Sequence, residues 1–91
     1  MSRFKVIAHR RVHKFIRTLR NEKLKHSIIE AMEKLEDYPI SLREMDVERI
    51  KGLKKTFRIR VGQHRIIFYV DKPERKIYVT HLDTRKKVYK K

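Results

Sequence analysis

The sequence predicts a small α+β domain in which a helix hairpin covers one face of a mostly antiparallel sheet. Three observations predict it. Apolar residues recur at helical spacing through the first third of the chain. They alternate at strand spacing between residues 55 and 82, and the pair Gly62-Gln63 sits between two such alternating runs. Ninety-one residues make one domain with a modest core, so a single unit over residues 1–91 is expected, with little room for a separate cofactor domain.

Each element follows from its own pattern. Phe4, Val6 and Ala8 alternate with Arg3, Lys5 and Ile7, which predicts a short half-buried strand. Val12, Phe15, Ile16 and Leu19 fall at i, i+3, i+4 and i+7, the spacing of an amphipathic helix over residues 9–20. Asn21 can cap a second helix, and Glu22 stands near its positive end. Leu24, Ile28, Ala31, Met32 and Leu35 form that helix's apolar stripe, and Pro39 ends it. The short connection makes the two helices an antiparallel hairpin. Residues 39–53 hold Ile40, Leu42, Met45, Val47, Ile50 and Leu53 without a clean period, and read as an ordered loop closed by Gly52. Residues 55–61, 64–70 and 76–82 read as a three-strand meander, with Gly62-Gln63 suited to a type II′ turn. From Asp83 onward the chain can form one or two helical turns with a basic tail. The expected order is β-α-α-β-β-β with a short C-terminal helical segment, and the position of the first strand in the sheet stays open.

Charge narrows the partners. Lys and Arg number 26 against 11 acids, a formal net charge of +15, which favours a polyanion, either nucleic acid or an anionic membrane surface. The distribution is uneven. Residues 1–21 carry seven Lys/Arg and no acid, residues 49–70 repeat that count, and eight of the acids lie between Glu22 and Glu48. A competing explanation is a solvated surface rich in ion pairs. The chain has no cysteine and no His/Cys spacing of the metal-binding kind, so neither disulfide, metal nor cofactor is expected, and a reducing cytoplasm suits it. No long apolar run exists, which argues against a signal peptide or membrane span.

The turn at Gly62-Gln63 fixes a register. Val61 faces His64, Arg60 faces Arg65, Ile59 faces Ile66, Arg58 faces Ile67 and Phe57 faces Phe68. Alternation then gives Phe57, Ile59, Val61, Ile66, Phe68 and Val70 to the helix-covered face, and Arg58, Arg60 and Arg65 to the other. Like charges directly opposite one another are destabilising, so the Arg60–Arg65 pair favours an anion in the gap. Ile67, Tyr69, Tyr78 and Leu82 are expected on the arginine face, under cover of the C-terminal segment. If that segment is helical, Arg85 and Tyr89 stand at i and i+4 and project together. His64 and His81 are expected to point toward the helices, with His9, His13 and His26 on the helices away from the arginines.

The run Ile50-Lys51-Gly52-Leu53, then Phe57-Arg58-Ile59-Arg60-Val61-Gly62 and His64-Arg65-Ile66-Ile67-Phe68, resembles the central signature of the RelE/ParE toxin superfamily. The strand from Ile77 to Leu82 and the ending Arg85-Lys86-Lys87-Val88-Tyr89 resemble the RelE branch. The resemblance spans essentially the whole chain. It implies a ribosome-dependent endoribonuclease that cuts messenger RNA in the ribosomal A site, inhibits translation and is silenced by a cognate RelB-like antitoxin. Its catalytic positions fall on Arg58, Arg60, Arg65, Arg85 and Tyr89. Beside them, Lys51, Lys54, Lys55, Lys86 and Lys87 are expected to contact RNA. Thr84 stands where many relatives carry a basic residue or His, and the tail after Tyr89 is short.

Metal-free RNA cleavage proceeds by attack of the 2′-hydroxyl on the adjacent phosphate, and fixed cations can stabilise the charge that develops, by about 3–4 kcal/mol for one donor in other systems. Arginine cannot act as a base at neutral pH. Tyr89 is the first candidate to move protons and Lys54 the second. Orientation of the message by the ribosome could supply another ~7–11 kcal/mol. Two other functions suit the same sequence: a ParE-like inhibitor of DNA gyrase, and a non-enzymatic ribosome- or RNA-binding protein.

Overall fold

The computed structural model describes residues 3–84. The elements run β1 (Lys5–Ala8), α1 (Arg10–Thr18), α2 (Glu22–Lys34), β2 (Asp46–Arg49), β3 (Thr56–Val61), β4 (His64–Asp71) and β5 (Lys76–Thr84), with short 3₁₀ turns at Leu35–Asp37 and Ile40–Glu44. The five strands form one mixed sheet in the order β1-β5-β4-β3-β2. β1 runs parallel to β5, and the other neighbours are antiparallel. No helix among the described residues is long and apolar enough to cross a membrane.

Both helices form where the apolar spacing places them, and each has a side-chain cap. The Asn21 carboxamide oxygen accepts from the Leu24 N–H at 3.0 Å, satisfying one of the donors that a helix start leaves orphaned. At α1 the cap is a histidine: His9 Nδ1 accepts from the Arg11 N–H at 3.0 Å. Val12, Ile28, Ala31 and Leu35 bury against Ile59, Ile66, Phe68, Val70, Ile77 and Val79, so the core lies between the helices and one face of the sheet. Phe57 stacks on Phe68 with centroids 5.3 Å apart, and Phe4 meets Tyr38 edge-on at 5.2 Å.

The β3–β4 register is the one the turn predicts, from Phe57↔Phe68 to Val61↔His64. Gly62 sits at φ +61°, a region in which a Cβ crowds the backbone.

Three expectations about the strands and the C-terminal segment need correction. Residues 39–53 are not all loop, because Asp46–Arg49 is a strand that pairs with β3 at the sheet edge. Its single apolar residue, Val47, faces Ile59, too little alternation for periodicity to register. Leu82 is not on the arginine face. The β4–β5 register shifts between Ile67 and Phe68, where Thr80 is the extra residue and donates its hydroxyl to the Ile67 carbonyl at 3.3 Å. A bulge of this kind reverses the facing of the strand residues beyond it, so Leu82 pairs with Ile66 and is buried. Asp83 and Thr84 continue β5 rather than begin a helix. The rest of the segment expected to be helical, residues 85–91, lies outside the described residues.

Candidate nucleic-acid interface

Opposite residues of an antiparallel pair share a face, so the register maps the side of the sheet turned away from the helices. One row across it holds Asp46, Arg60, Arg65 and Asp83, and the next holds Glu48, Arg58 and Ile67. Asp46, Val47, Glu48, Arg58, Arg60 and Arg65 line a cleft of about 410 Å³. Three guanidiniums therefore converge from two adjacent strands, as the alternation of β3 and β4 requires.

The three are not equivalent. Arg65 is buried, with 3% of its surface exposed, at the position facing Asp83. Arg58 and Arg60 stand further out, with side chains 30% and 50% exposed, and each meets a carboxylate of β2. Arg60 Nε donates to Asp46 Oδ2 at 3.0 Å, and Arg58 donates to Glu48 Oε1. Cross-strand pairs of opposite charge stabilise a sheet edge by a few tenths to about 1 kcal/mol. β2 thus owes its place to charge as well as to Val47. Sequence reasoning missed these two acids, yet a signal was there: acids at 46 and 48 match arginines at 60 and 58, two residues apart in each strand and in antiparallel order.

Lys51 and Lys54 lie in the β2–β3 connection and line a second, more open depression with Arg49, Ile50, Gly52 and Leu53. Lys55 follows at φ 53°, and its carbonyl accepts from the Val70 N–H at 2.9 Å. Arg85, Lys86, Lys87 and Tyr89 lie outside the described residues. Among the described residues, no three His, Cys, Asp or Glu side chains are grouped to hold a metal ion.

The histidines fall in two places. His64 faces α1 as expected, its ring edge-on to Phe15 at 5.7 Å, and burial lowers its pKa against a smaller opposing pull from Asp83. His81 does not point inward, because the bulge moves it opposite Ile67, and its ring is exposed. Its Nε2 lies 2.6 Å from an Arg11 guanidinium nitrogen, an arrangement in which the ring accepts. Its pKa is lowered first by desolvation and then by Arg11 and His9, with Asp83 acting the other way.

The fold and this arginine-lined cleft define a class of protein. Residues 4–89 match the family described as the ParE toxin of the type II toxin–antitoxin system parDE. A protein of Methanocaldococcus jannaschii assigned as the toxin RelE1 is 32% identical over 88 residues, covering 97% of each chain. The archaeal RelE–RelB complex of Pyrococcus horikoshii OT3 contains a chain with TM-score 0.77 and 25% identity, over 90% of this chain and 94% of that one. The RelB–RelE complex of Methanococcus jannaschii gives TM-score 0.76 at 21% identity, over 91% and 94% of the two chains. The chain belongs to the RelE/ParE superfamily of type II toxin–antitoxin toxins. Within it, the chain is RelE-like.

Proposed function

We propose that this toxin is a metal-independent, ribosome-dependent endoribonuclease that cuts messenger RNA in the ribosomal A site and is silenced by a RelB-like antitoxin. The observation that carries the proposal is the convergence of Arg58, Arg60 and Arg65 on one cleft of the sheet face opposite the helices. A transferring phosphate seated there meets cations from two strands, held by a sheet that does not have to reorganise as charge develops. In the reaction the 2′-oxygen attacks phosphorus, the P–O5′ bond breaks, and a cyclic phosphate and a 5′-hydroxyl result. One proton must leave the 2′-hydroxyl and one must reach the 5′-oxygen.

Among the described residues that line the cleft, only Asp46 and Glu48 can accept a proton at neutral pH, since the others are arginines and a valine. Glu48 is the better placed. It sits in the row of Arg58 and Ile67, and its side chain is 67% exposed. The proposal assigns it the 2′-hydroxyl proton and keeps Arg85 and Tyr89 for the leaving oxygen. Lys51, Lys54, Lys55, Lys86 and Lys87 are proposed to grip flanking phosphates. The likeness to chains solved with RelB supports the antitoxin assignment, and an excess of +15 makes an acidic segment a fitting inhibitor.

The ParE-family match favours one other target, DNA gyrase. One experiment separates the two. Message 5′-ends are mapped in a translation extract with the wild type and with Glu48→Gln and Arg65→Lys, and gyrase supercoiling is assayed beside it. New ends at A-site codons, reduced ~10²-fold or more by either substitution, are expected. Wild-type protein that leaves messages intact and stops gyrase overturns the proposal.

A further inference from the structure

The open face of the sheet continues beyond the arginine cleft. Two residues further along β4 from Ile67, the next row holds Thr56, Tyr69, Tyr78 and Ile7, and the row after that holds Asp71, Lys76 and Lys5. Tyr69 and Tyr78 lie side by side, with ring centroids 6.4 Å apart and planes within 28°. Tyr69 is 41% exposed, one of the few large apolar side chains left in solvent among the described residues. Tyr78 is half-buried beside it, and the pair lies on the same face as three converging arginines, opposite the core.

We propose that Tyr69 and Tyr78 form a base-stacking platform for single-stranded RNA whose phosphates enter the arginine cleft. The proposal rests on the endoribonuclease reading for the identity of the polymer, and adds where a base next to the cut would sit. Three features select RNA over other occupants. The rows are about 7 Å apart, the rise of two strand residues, so the platform adjoins Arg58 and a base can reach it while its phosphate stays in the cleft. Cations flank the rings on both sides, Arg58 in one row and Lys76 with Lys5 in the other, which tracks a backbone past a flat apolar step. An exposed tyrosine ring, its plane within 28° of its neighbour's, offers a π face that any base can use, the usual device for holding a strand without reading its sequence.

The test uses intact protein and a fluorescein-labelled single-stranded RNA hexamer, compared with hexamers carrying one abasic position in turn. Binding is read by anisotropy, and by quenching of tyrosine emission, which no tryptophan obscures in this chain. In the wild type, one abasic position is expected to weaken binding about ten-fold while the others have little effect. Tyr69→Leu should abolish that penalty, weakening the intact hexamer to the level of the abasic one, whereas Tyr69→Phe should keep it. The platform is overturned by the absence of any abasic position that matters in the wild type, or by Tyr69→Leu weakening intact and abasic hexamers alike. Tyr69→Leu that spares RNA binding but weakens a RelB-like antitoxin assigns the surface to a protein partner and also overturns it. Cleavage is scored separately. An abasic penalty without ribosomal cleavage leaves the platform standing and removes the endoribonuclease reading, while cleavage without the penalty does the reverse.

Discussion

Replacing Asp46 by Asn tests whether β2 competes with RNA for the cleft. The carboxylate of Asp46 holds Arg60 Nε at 3.0 Å, with side chains 58% and 50% exposed. A pair so open to water contributes at most about 1 kcal/mol to stability. The variant should therefore melt no more than about 4–8 °C lower, the shift that 1 kcal/mol produces in a domain this small. RNA that seats a phosphate on Arg60 must first displace the carboxylate, so the same free energy opposes binding. Its removal should tighten a single-stranded RNA by up to about five-fold, since 1.4 kcal/mol corresponds to ten-fold. Any variant that loses an acid gains general attraction for RNA, so the control is Glu44→Gln. It frees Lys34, 3.5 Å away, and makes the same change in net charge outside the cleft. Anisotropy titrations at four salt concentrations, with thermal melts, check both numbers. Equal gains for the two variants, or no gain for Asp46→Asn, would refute the idea that Arg60 is a phosphate seat held by a displaceable acid.

Two further expectations concern the frame around the cleft. Gly62→Ala should cost about 1–2 kcal/mol in chemical denaturation. The added Cβ would meet nothing nearer than Leu24 Cδ1 at 3.9 Å, so the φ of +61° alone carries the cost, and Gly62→Asn should recover part of it. Stability should also fall with acidity. Burial lowers the pKa of His64 below its unfolded value near 6.5, so between those values the unfolded chain binds more protons than the folded one. The contribution is complete above pH ~6.5 and is lost as pH falls through the folded pKa, and His64→Leu should flatten melts recorded from pH 7.5 to 5.

Where the sequence was legible, a strong period or a two-residue turn did the work. Val12, Phe15, Ile16 and Leu19 can bury together only on a helix, and Gly62-Gln63 admits only one pairing of the flanking strands. The failures share a cause: each depended on a neighbour that local pattern does not name. Thr80 adds one residue to β5 relative to β4, and nothing within residues 76–84 announces it. The consequence is large, because Leu82 moves to the core and Asp83 moves opposite Arg65. The place of β1 beside β5 is equally non-local, since parallel partners 71 residues apart leave no periodic trace in either strand.

The site shows the same division, with a consequence for mechanism. That three arginines share a face followed from alternation alone. That two of them already hold carboxylates did not, because Asp46 and Glu48 belong to an edge strand with one apolar residue. Without β2, Arg58 and Arg60 would lose the carboxylates they hold, and the face would bind polyanions with less discrimination, folded RNA and DNA included. With β2 in place, each outer arginine has a resident anion, and only the inner arginine, Arg65, is fixed by burial. A ligand must then outcompete two carboxylates at once. A loosely held phosphate does this poorly, and a strand oriented by a larger machine does it well. The acids thus disfavour binding to stray nucleic acid by a small amount per contact. Glu48, once displaced from Arg58 by the incoming phosphate, is released next to the hydroxyl it is proposed to deprotonate. Selectivity against free RNA and availability of a proton acceptor would then be two results of one exchange. Glu48→Gln should separate them, keeping or tightening RNA binding while cleavage of ribosome-bound message falls.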